Sequence, residues 1–274
     1  MRRLLPVLLL CAPGAFALEE KETIRKTLAF APNAAERIVE VDAVTGSIRV
    51  TGTGGRNVEV EINKTITADT QTDMAEAKRD VTVDIQEEQT RIRLYVDGPF
   101  RNRDGGNRRR YYNVRHDFVI KMPKDAIVRL STVNGGDIHM EQMDGNFNLS
   151  NVNGAIEVAD AGGSGKINTV NGGIKASFRR NPTGPVSLKT VNGGVEAQFP
   201  KNLAADLSLK TFNGDVYSDF DVIARAVVQP ASGERKGTKF VYRSNRHRTA
   251  RIGNGGPELS FDTLNGNIRI LQRK

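Results

Sequence analysis

The chain has no tryptophan, one cysteine (Cys11) and only three histidines in 274 residues. A lone thiol excludes an internal disulfide, a multi-cysteine metal site and a redox pair. The histidines, His116, His139 and His247, show no metal-ligand spacing. Long apolar runs are also missing, so no segment reads as a bilayer-crossing helix. The one short apolar run, Leu4 to Cys11, follows Arg2 and Arg3 and precedes Ala15-Phe16-Ala17. Those three parts read as a secretory signal peptide over residues 1–17, cleaved after Ala17. The bulk of Leu10 before Cys11 argues against lipid attachment, and the alternative to a leader is a short hydrophobic first strand. With the leader gone the chain carries no thiol, so a Cys nucleophile is excluded too. It would be an exported protein of the periplasm or cell envelope.

What is abundant is glycine, 27 residues, and positive charge, a formal net of +8. The surplus favours acidic company through sequence-independent attraction. Six Asn-Gly pairs recur, at Asn134, Asn153, Asn171, Asn192, Asn213 and Asn265, the first five spaced by 18 to 21 residues and the last by 52. Four residues before each Asn stand Leu130, Leu149, Ile167, Leu188, Leu209 and Phe261; two before stand Thr132, Asn151, Thr169, Thr190, Thr211 and Thr263. Polar residues lie between, and Ile156, Ile174, Val195, Val216 and Ile268 follow the bend. This period-two alternation predicts strand, bend, strand in every unit, with one face buried.

Asn and Gly accept a left-handed backbone at low cost, which accounts for their pairing at a sharp bend. Two architectures satisfy the pattern. One is a set of antiparallel hairpins; the other is a β-solenoid in which Asn side chains stack as a ladder and Thr as a second ladder. Repetition of one residue type per column favours the solenoid. The column Val133, Val152, Val170, Val191, Phe212 and Leu264 is expected to turn into a corner of the core, the alternative being an apolar ridge under a partner.

The fold class is therefore all-β, a single-domain β-solenoid or β-helix-like repeat over 18–274 with at most one short helix, over 72–80. Its parts are a degenerate cap at 18–97, an Arg-rich loop at 98–115, regular Asn-Gly repeats at 116–221, an insertion at 222–256 containing a strand near 239–243, and a last rung at 257–274.

Phe118-Val119-Ile120-Lys121-Met122-Pro123-Lys124, followed by Val128-Arg129-Leu130-Ser131-Thr132-Val133-Asn134-Gly135, resembles the strand, Pro-Lys, strand-Thr-x-Asn-Gly passage of the bacterial putative-adhesin β-strand repeat family. Gly253, Gly255-Gly256-Pro257 and Leu259 to Ile268 are similar to its last turn. The likeness covers nearly all of 18–274 and implies an exported β-solenoid. It supplies no catalytic residue. This chain departs from the pattern in the additional Asp137 and in its Arg-rich loop.

No cofactor or metal is expected. The glycine-rich segments lack the regular Asp of a calcium roll, and Gly253 to Gly256 lack the Lys-Ser or Lys-Thr of a phosphate loop. Asp215, Asp219 and Asp221 are read as solvated rather than as a carboxylate pair. The leading candidate for binding is the loop bearing Arg101, Arg103, Arg108, Arg109, Arg110, Tyr111, Tyr112 and Arg115, forked cations beside flat rings suited to phosphates or sugars. A second basic group is Arg243, Arg246, His247, Arg248 and Arg251. The bland reading of both is a solvated face. The export signal and the lack of a reading module argue against nucleic acid. The expected function is a non-enzymatic binding or scaffolding protein engaging an anionic glycan, lipid headgroup or protein. The alternatives are a carbohydrate-active β-helix enzyme and a self-assembling structural element.

Overall fold

The computed structural model describes residues 17–101, 111–225, 233–236, 239–242 and 247–274. The proposed leader and most of the Arg-rich loop lie outside them. The described chain is all-β with one α-helix, and its strands form a ten-stranded sheet, an eleven-stranded sheet and a two-stranded ribbon, Gly233–Lys236 with Lys239–Tyr242. Phe147–Ser150 lies in the larger sheet, Ile156–Ala161 in the smaller, and Gly165–Asn168 in the larger again. The two strands flanking each Asn-Gly therefore belong to different sheets, which removes the hairpin alternative. Each such pair with its bend is called a rung below.

Successive rungs pair in parallel with like residues opposite: Leu149 faces Leu130 and Ile167, and Ile156 faces Ile138 and Ile174. The alternation read in the sequence buries one side of every strand between the sheets, where Leu130, Leu149, Ile167, Leu188 and Phe261 meet Ile138, Ile156, Ile174, Val195 and Ile268. At one margin of this core the Phe178 and Phe199 rings stack at 4.8 Å and 6°.

The bends explain the repeat residue by residue. Asn153 Nδ2 donates to Asn134 Oδ1 at 2.7 Å, Asn171 to Asn153 at 2.8 Å, Asn192 to Asn171 at 2.8 Å, Asn265 to Asn192 at 2.7 Å and Asn213 to Asn265 at 2.7 Å. The Thr column does not form a second ladder of its own. Its hydroxyls donate to the glycine carbonyl of the preceding rung: Thr169 to Gly154 at 2.9 Å, Thr190 to Gly172 at 2.8 Å, Thr263 to Gly193 at 2.9 Å and Thr211 to Gly266 at 3.0 Å. Asn151 substitutes its amide in the same role, to Gly136 at 3.0 Å.

Left-handed backbone accounts for Gly135, at φ 73°, but not for Gly154, Gly172, Gly214 and Gly266, which are not at positive φ. A Cβ on Gly172 would lie 2.2 Å from the Gly154 carbonyl oxygen, and one on Gly266 would lie 2.0 Å from that of Gly193. Glycine is required because the rungs approach through it. The Val column is likewise corrected: Val170, Phe212 and Leu264 are exposed and Val133, Val152 and Val191 half-buried, a partly open ridge rather than a core corner.

The order of rungs departs from the order of sequence. Glu258–Asn265 and Ile268–Gln272 sit between the rung Val186–Phe199 and the rung formed by Ala205–Asn213 and Val216–Ser218. The last rung of the chain is thus an interior one. His247–Ile252 then pairs antiparallel with Ala205–Asn213, and Val222–Arg225 with His247–Ile252.

At the opposite end, Leu18–Ala29, Asn57–Ala68 and Tyr112–Pro123 extend the smaller sheet, and Arg91–Asp97 and Thr82–Glu87 the larger. The helix Gln71–Asp80 starts at Thr70, whose Oγ1 accepts the Asp73 N–H at 3.1 Å, and buries Met74 and Ala77. Beneath this end lie two buried basic side chains facing each other across an antiparallel pair, Lys64 and His116. Lys64 Nζ donates to the Val81 carbonyl at 3.1 Å, whereas His116 Nε2 has no hydrogen-bond partner among the described residues.

Burial first, then the charge of Lys64, pushes His116 down to about 4, with Asp117 opposing. A histidine held neutral in the fold stabilises it fully above the unfolded value near 6.5, and that contribution is lost as pH falls towards about 4. Stability is expected to fall by roughly 3 kcal/mol between pH 7 and pH 4 through this group. Urea midpoints should show that component missing in His116→Leu, and an unchanged pH slope in the variant would contradict it.

Candidate functional site

The described part of the basic loop is built into the scaffold. Arg101 donates to Asp42 Oδ1 at 3.0 Å and Oδ2 at 3.2 Å, and to the Val96 carbonyl at 3.1 Å. Its guanidinium lies 4.5 Å from the Tyr95 ring centroid, with Arg93 at 4.4 Å from the same ring. Arg115 donates Nε and an Nη to the two Asp117 oxygens, each at 2.7 Å, and another Nη to the Gly135 carbonyl. Burial raises Asp117, but hydrogen bonds from Arg115 and Ser47 outweigh it and hold the carboxylate below its ordinary value. The hydrogen bond to Asp117 correspondingly raises Arg115.

Both arginines are thus paired to a carboxylate of the scaffold. Tyr111 is exposed and Tyr112 packs half-buried against the core. Arg103, Arg108, Arg109 and Arg110 lie outside the described residues. So do Arg243 and Arg246 of the second basic group and the side chain of His247. Arg251 is paired to Asp206, 2.7 Å from Nε to Oδ1, while Arg248 is exposed. Asp219 is also structural, its Oδ2 accepting the Gln272 N–H at 3.1 Å. Among the described residues no three His, Cys, Asp or Glu converge as a metal site.

The outer faces of the two sheets differ in a way the sequence reading missed. On the smaller sheet, one outward row runs Arg49, His139, Glu157, Lys175, Glu196, Arg269, each opposite the next. From Glu157 through Lys175 and Glu196 to Arg269 its charges alternate in sign, so each basic group there stands one strand from an acidic one.

The corresponding row on the larger sheet runs Arg129, Asn148, Lys166, Ser187, Ser260. Neighbouring strands stand about 4.8 Å apart, so these groups recur at that spacing along the stack. Glu40, the neighbour of Arg129 in register, contacts Arg93 at 3.5 Å and Arg91 at 3.8 Å. Among the described residues Arg129 and Lys166 have no ion pair. In the adjacent row Lys189 and Lys210 share one carboxylate, Asp262, at 3.9 and 3.4 Å. A shallow groove of about 800 Å³ crosses this face, lined by the Arg129 to Ser260 row and rimmed by Thr183 and Pro185. It offers two cations against the one carboxylate of Glu258, with hydroxyls and amides between. The outward positions of a strand look like ordinary solvated residues in sequence, and only the register marks these two, with Lys166 between Asn148 and Ser187 and Arg129 beside a Glu40 that Arg91 and Arg93 already contact.

No protein-family model matches the sequence, and no curated protein matches it. Among solved structures the chain is similar to a putative cell adhesion protein from Clostridium sporogenes, at 14% identity and a TM-score of 0.43, covering 92% of this chain and 100% of that one. It is similar also to a putative adhesin from Bacteroides fragilis, at 10% identity and TM-score 0.37, covering 92% and 97%. A putative lipid binding protein from Parabacteroides distasonis follows at 12% identity and TM-score 0.24, covering 93% and 97%. The structural neighbours of this chain thus include bacterial proteins named as adhesins.

Proposed function

We propose that the chain is a non-enzymatic, adhesin-like binding module of the bacterial cell envelope, a β-solenoid whose larger sheet lays an extended anionic glycan across its outer face. The observation that carries this reading is the row Arg129, Asn148, Lys166, Ser187, Ser260, in which the two cations have no ion pair among the described residues. A stack of rungs is stiff and repeats in one direction, and a polysaccharide does the same. Charge-assisted hydrogen bonds from Arg129 and Lys166 to acidic groups, with hydroxyl and amide contacts between, give a binding mode that needs no reorganisation. Export rests on the leader-like residues 1–17.

Alginate is the probe and neutral dextran its control. Alginate is expected to bind, more weakly as salt rises, and the double variant Arg129→Gln, Lys166→Gln should lose at least about tenfold in affinity, the equivalent of about 1.4 kcal/mol. A companion variant with Arg103, Arg108, Arg109 and Arg110 all changed to Gln separates the basic loop from the sheet. Undiminished alginate binding by the sheet variant contradicts the assignment.

A further inference from the structure

The outward row of the larger sheet continues past Arg129 towards the cap. Glu40 lies opposite Arg129 in register, and Arg93 lies opposite Glu40. From the cap inward the row reads Arg93, Glu40, Arg129, Asn148, Lys166, Ser187. Its three cations fall on every second strand, and the strands that alternate with them carry a carboxylate, an amide and a hydroxyl. Strands about 4.8 Å apart set successive cations about 10 Å apart. That is close to the length of two sugars in an extended polysaccharide.

What stands between the cations selects as well. Arg129, Asn148 and Lys166 are exposed and border the groove already described, while Arg93 and Glu40 are half-buried. Glu40 lies 3.5 Å from Arg93 and 3.8 Å from Arg91. A sugar acid placed over Glu40 meets a like charge, and one placed over Asn148 meets no charge at all. A neutral sugar over Glu40 presents hydroxyls that the carboxylate accepts, and over Asn148 it finds an amide that both donates and accepts. The smaller sheet has cations on every second strand too, Lys175 and Arg269, but there Lys175 stands between Glu157 and Glu196. Its charge is opposed one strand away on either side, whereas Lys166 stands between Asn148 and Ser187.

We propose that the ligand of this face is a glycan with one acidic group on every second sugar and a neutral sugar between, lying along the row with its acids over Arg93, Arg129 and Lys166. The inference rests on the glycan reading above and adds the charge period of the ligand to it. A polymer with an acid on every sugar still binds through the same cations, but it also sets one acid against Glu40 and another against Asn148. Selection thus comes from the spacing of charge and from the repulsion built in at Glu40, not from total charge.

The probes are hyaluronan oligosaccharides, which carry a carboxylate on every second sugar, and oligomannuronates of equal length, which carry one on every sugar. Hyaluronan is expected to bind the full chain at least about threefold more tightly although it has half the charge. The exchange Asn148→Lys with Lys166→Asn keeps the composition and net charge and moves one cation to the strand beside Arg129. It should weaken hyaluronan at least about tenfold and leave oligomannuronate within about threefold, and that retained binding shows the variant to be folded. Lys175→Gln on the smaller sheet should leave both probes within about twofold. A smaller preference for hyaluronan, or a hyaluronan affinity unchanged by the exchange, overturns the charge period and leaves the glycan reading standing. Binding of neither probe removes the glycan reading and the charge period with it, and so does a loss in Lys175→Gln as large as that in the exchange, which would place the site on the other sheet.

Discussion

Phe178→Ala is expected to destabilise the fold by about 3–5 kcal/mol, the range for removing a fully buried aromatic ring. Phe178 and Phe199 are both at 0% exposure, and their rings stack at 4.8 Å where the strands Ile174–Phe178 and Val195–Phe199 end. Parallel strands set at a fixed spacing cannot close in over the gap, because every neighbouring rung is held by its own ladder of hydrogen bonds. The cavity therefore persists, and the cost should lie above that of a site free to collapse. Urea unfolding at neutral pH gives the comparison, and a loss under about 1 kcal/mol would mean that the margin of the core is far more plastic than its packing implies.

Gly172→Ala should be comparably damaging, on the order of 4 kcal/mol or failure to fold, although it adds a single methyl group. The new Cβ would stand 2.2 Å from the carbonyl oxygen of Gly154 and 2.6 Å from its carbon, both backbone atoms that can move only by parting two rungs. Parting them lengthens the Asn171 to Asn153 bond of 2.8 Å and the Thr169 to Gly154 bond of 2.9 Å. The next residue supplies an internal control. A Cβ on Gly173 meets nothing nearer than 3.5 Å, so Gly173→Ala is expected to change stability by less than about 1 kcal/mol. Equal effects at the two positions would contradict the assignment of close approach to the first glycine of the pair.

How much of this was legible follows from what each residue reports. Period-two alternation reports burial, and the strands, their buried faces and the all-β class were readable from Leu130, Ile167 or Ile174 without coordinates. The helix Gln71–Asp80 was readable within a residue at its start from the clustering of Met74, Ala75 and Ala77. The Asn column was readable as a column. Its Thr companions and most of its Gly companions, Gly135 excepted, were misread because propensity describes one residue at a time, while Thr190 and Gly172 owe their identity to each other across a rung. Rung order was not readable at all. Asn192, Asn213 and Asn265 present the same groups, so any of the three rungs satisfies its neighbours equally, and nothing in a column tells that Asn265 stands between the other two.

The candidate site was legible only in its charge. Arg101 and Arg115 read as free cations in a basic run and are ion-paired in the fold, because Asp42 and Asp117, distant or inconspicuous in sequence, come beside them. Arg129 and Lys166 looked like unremarkable outward residues, yet the register sets Lys166 between Asn148 and Ser187 and gives Arg129 only Glu40, which Arg91 and Arg93 already contact. Charge composition says how many cations there are; topology says which of them are spent.

The account depends on rungs stacked in one file, with the chain's last rung inserted between two earlier ones. Disulfide trapping tests this directly, in a chain with Cys11→Ser and paired cysteines on outward positions of the smaller sheet. Glu196 and Arg269 lie opposite each other, as do Arg269 and Tyr217, whereas Glu196 and Tyr217 are two strands apart, about 10 Å and beyond disulfide reach. Cysteines at 196 and 269 and at 269 and 217 should cross-link rapidly in the folded protein, and those at 196 and 217 should not. Efficient trapping of 196 with 217 and none of 196 with 269 would show the rungs following sequence order and contradict the arrangement described.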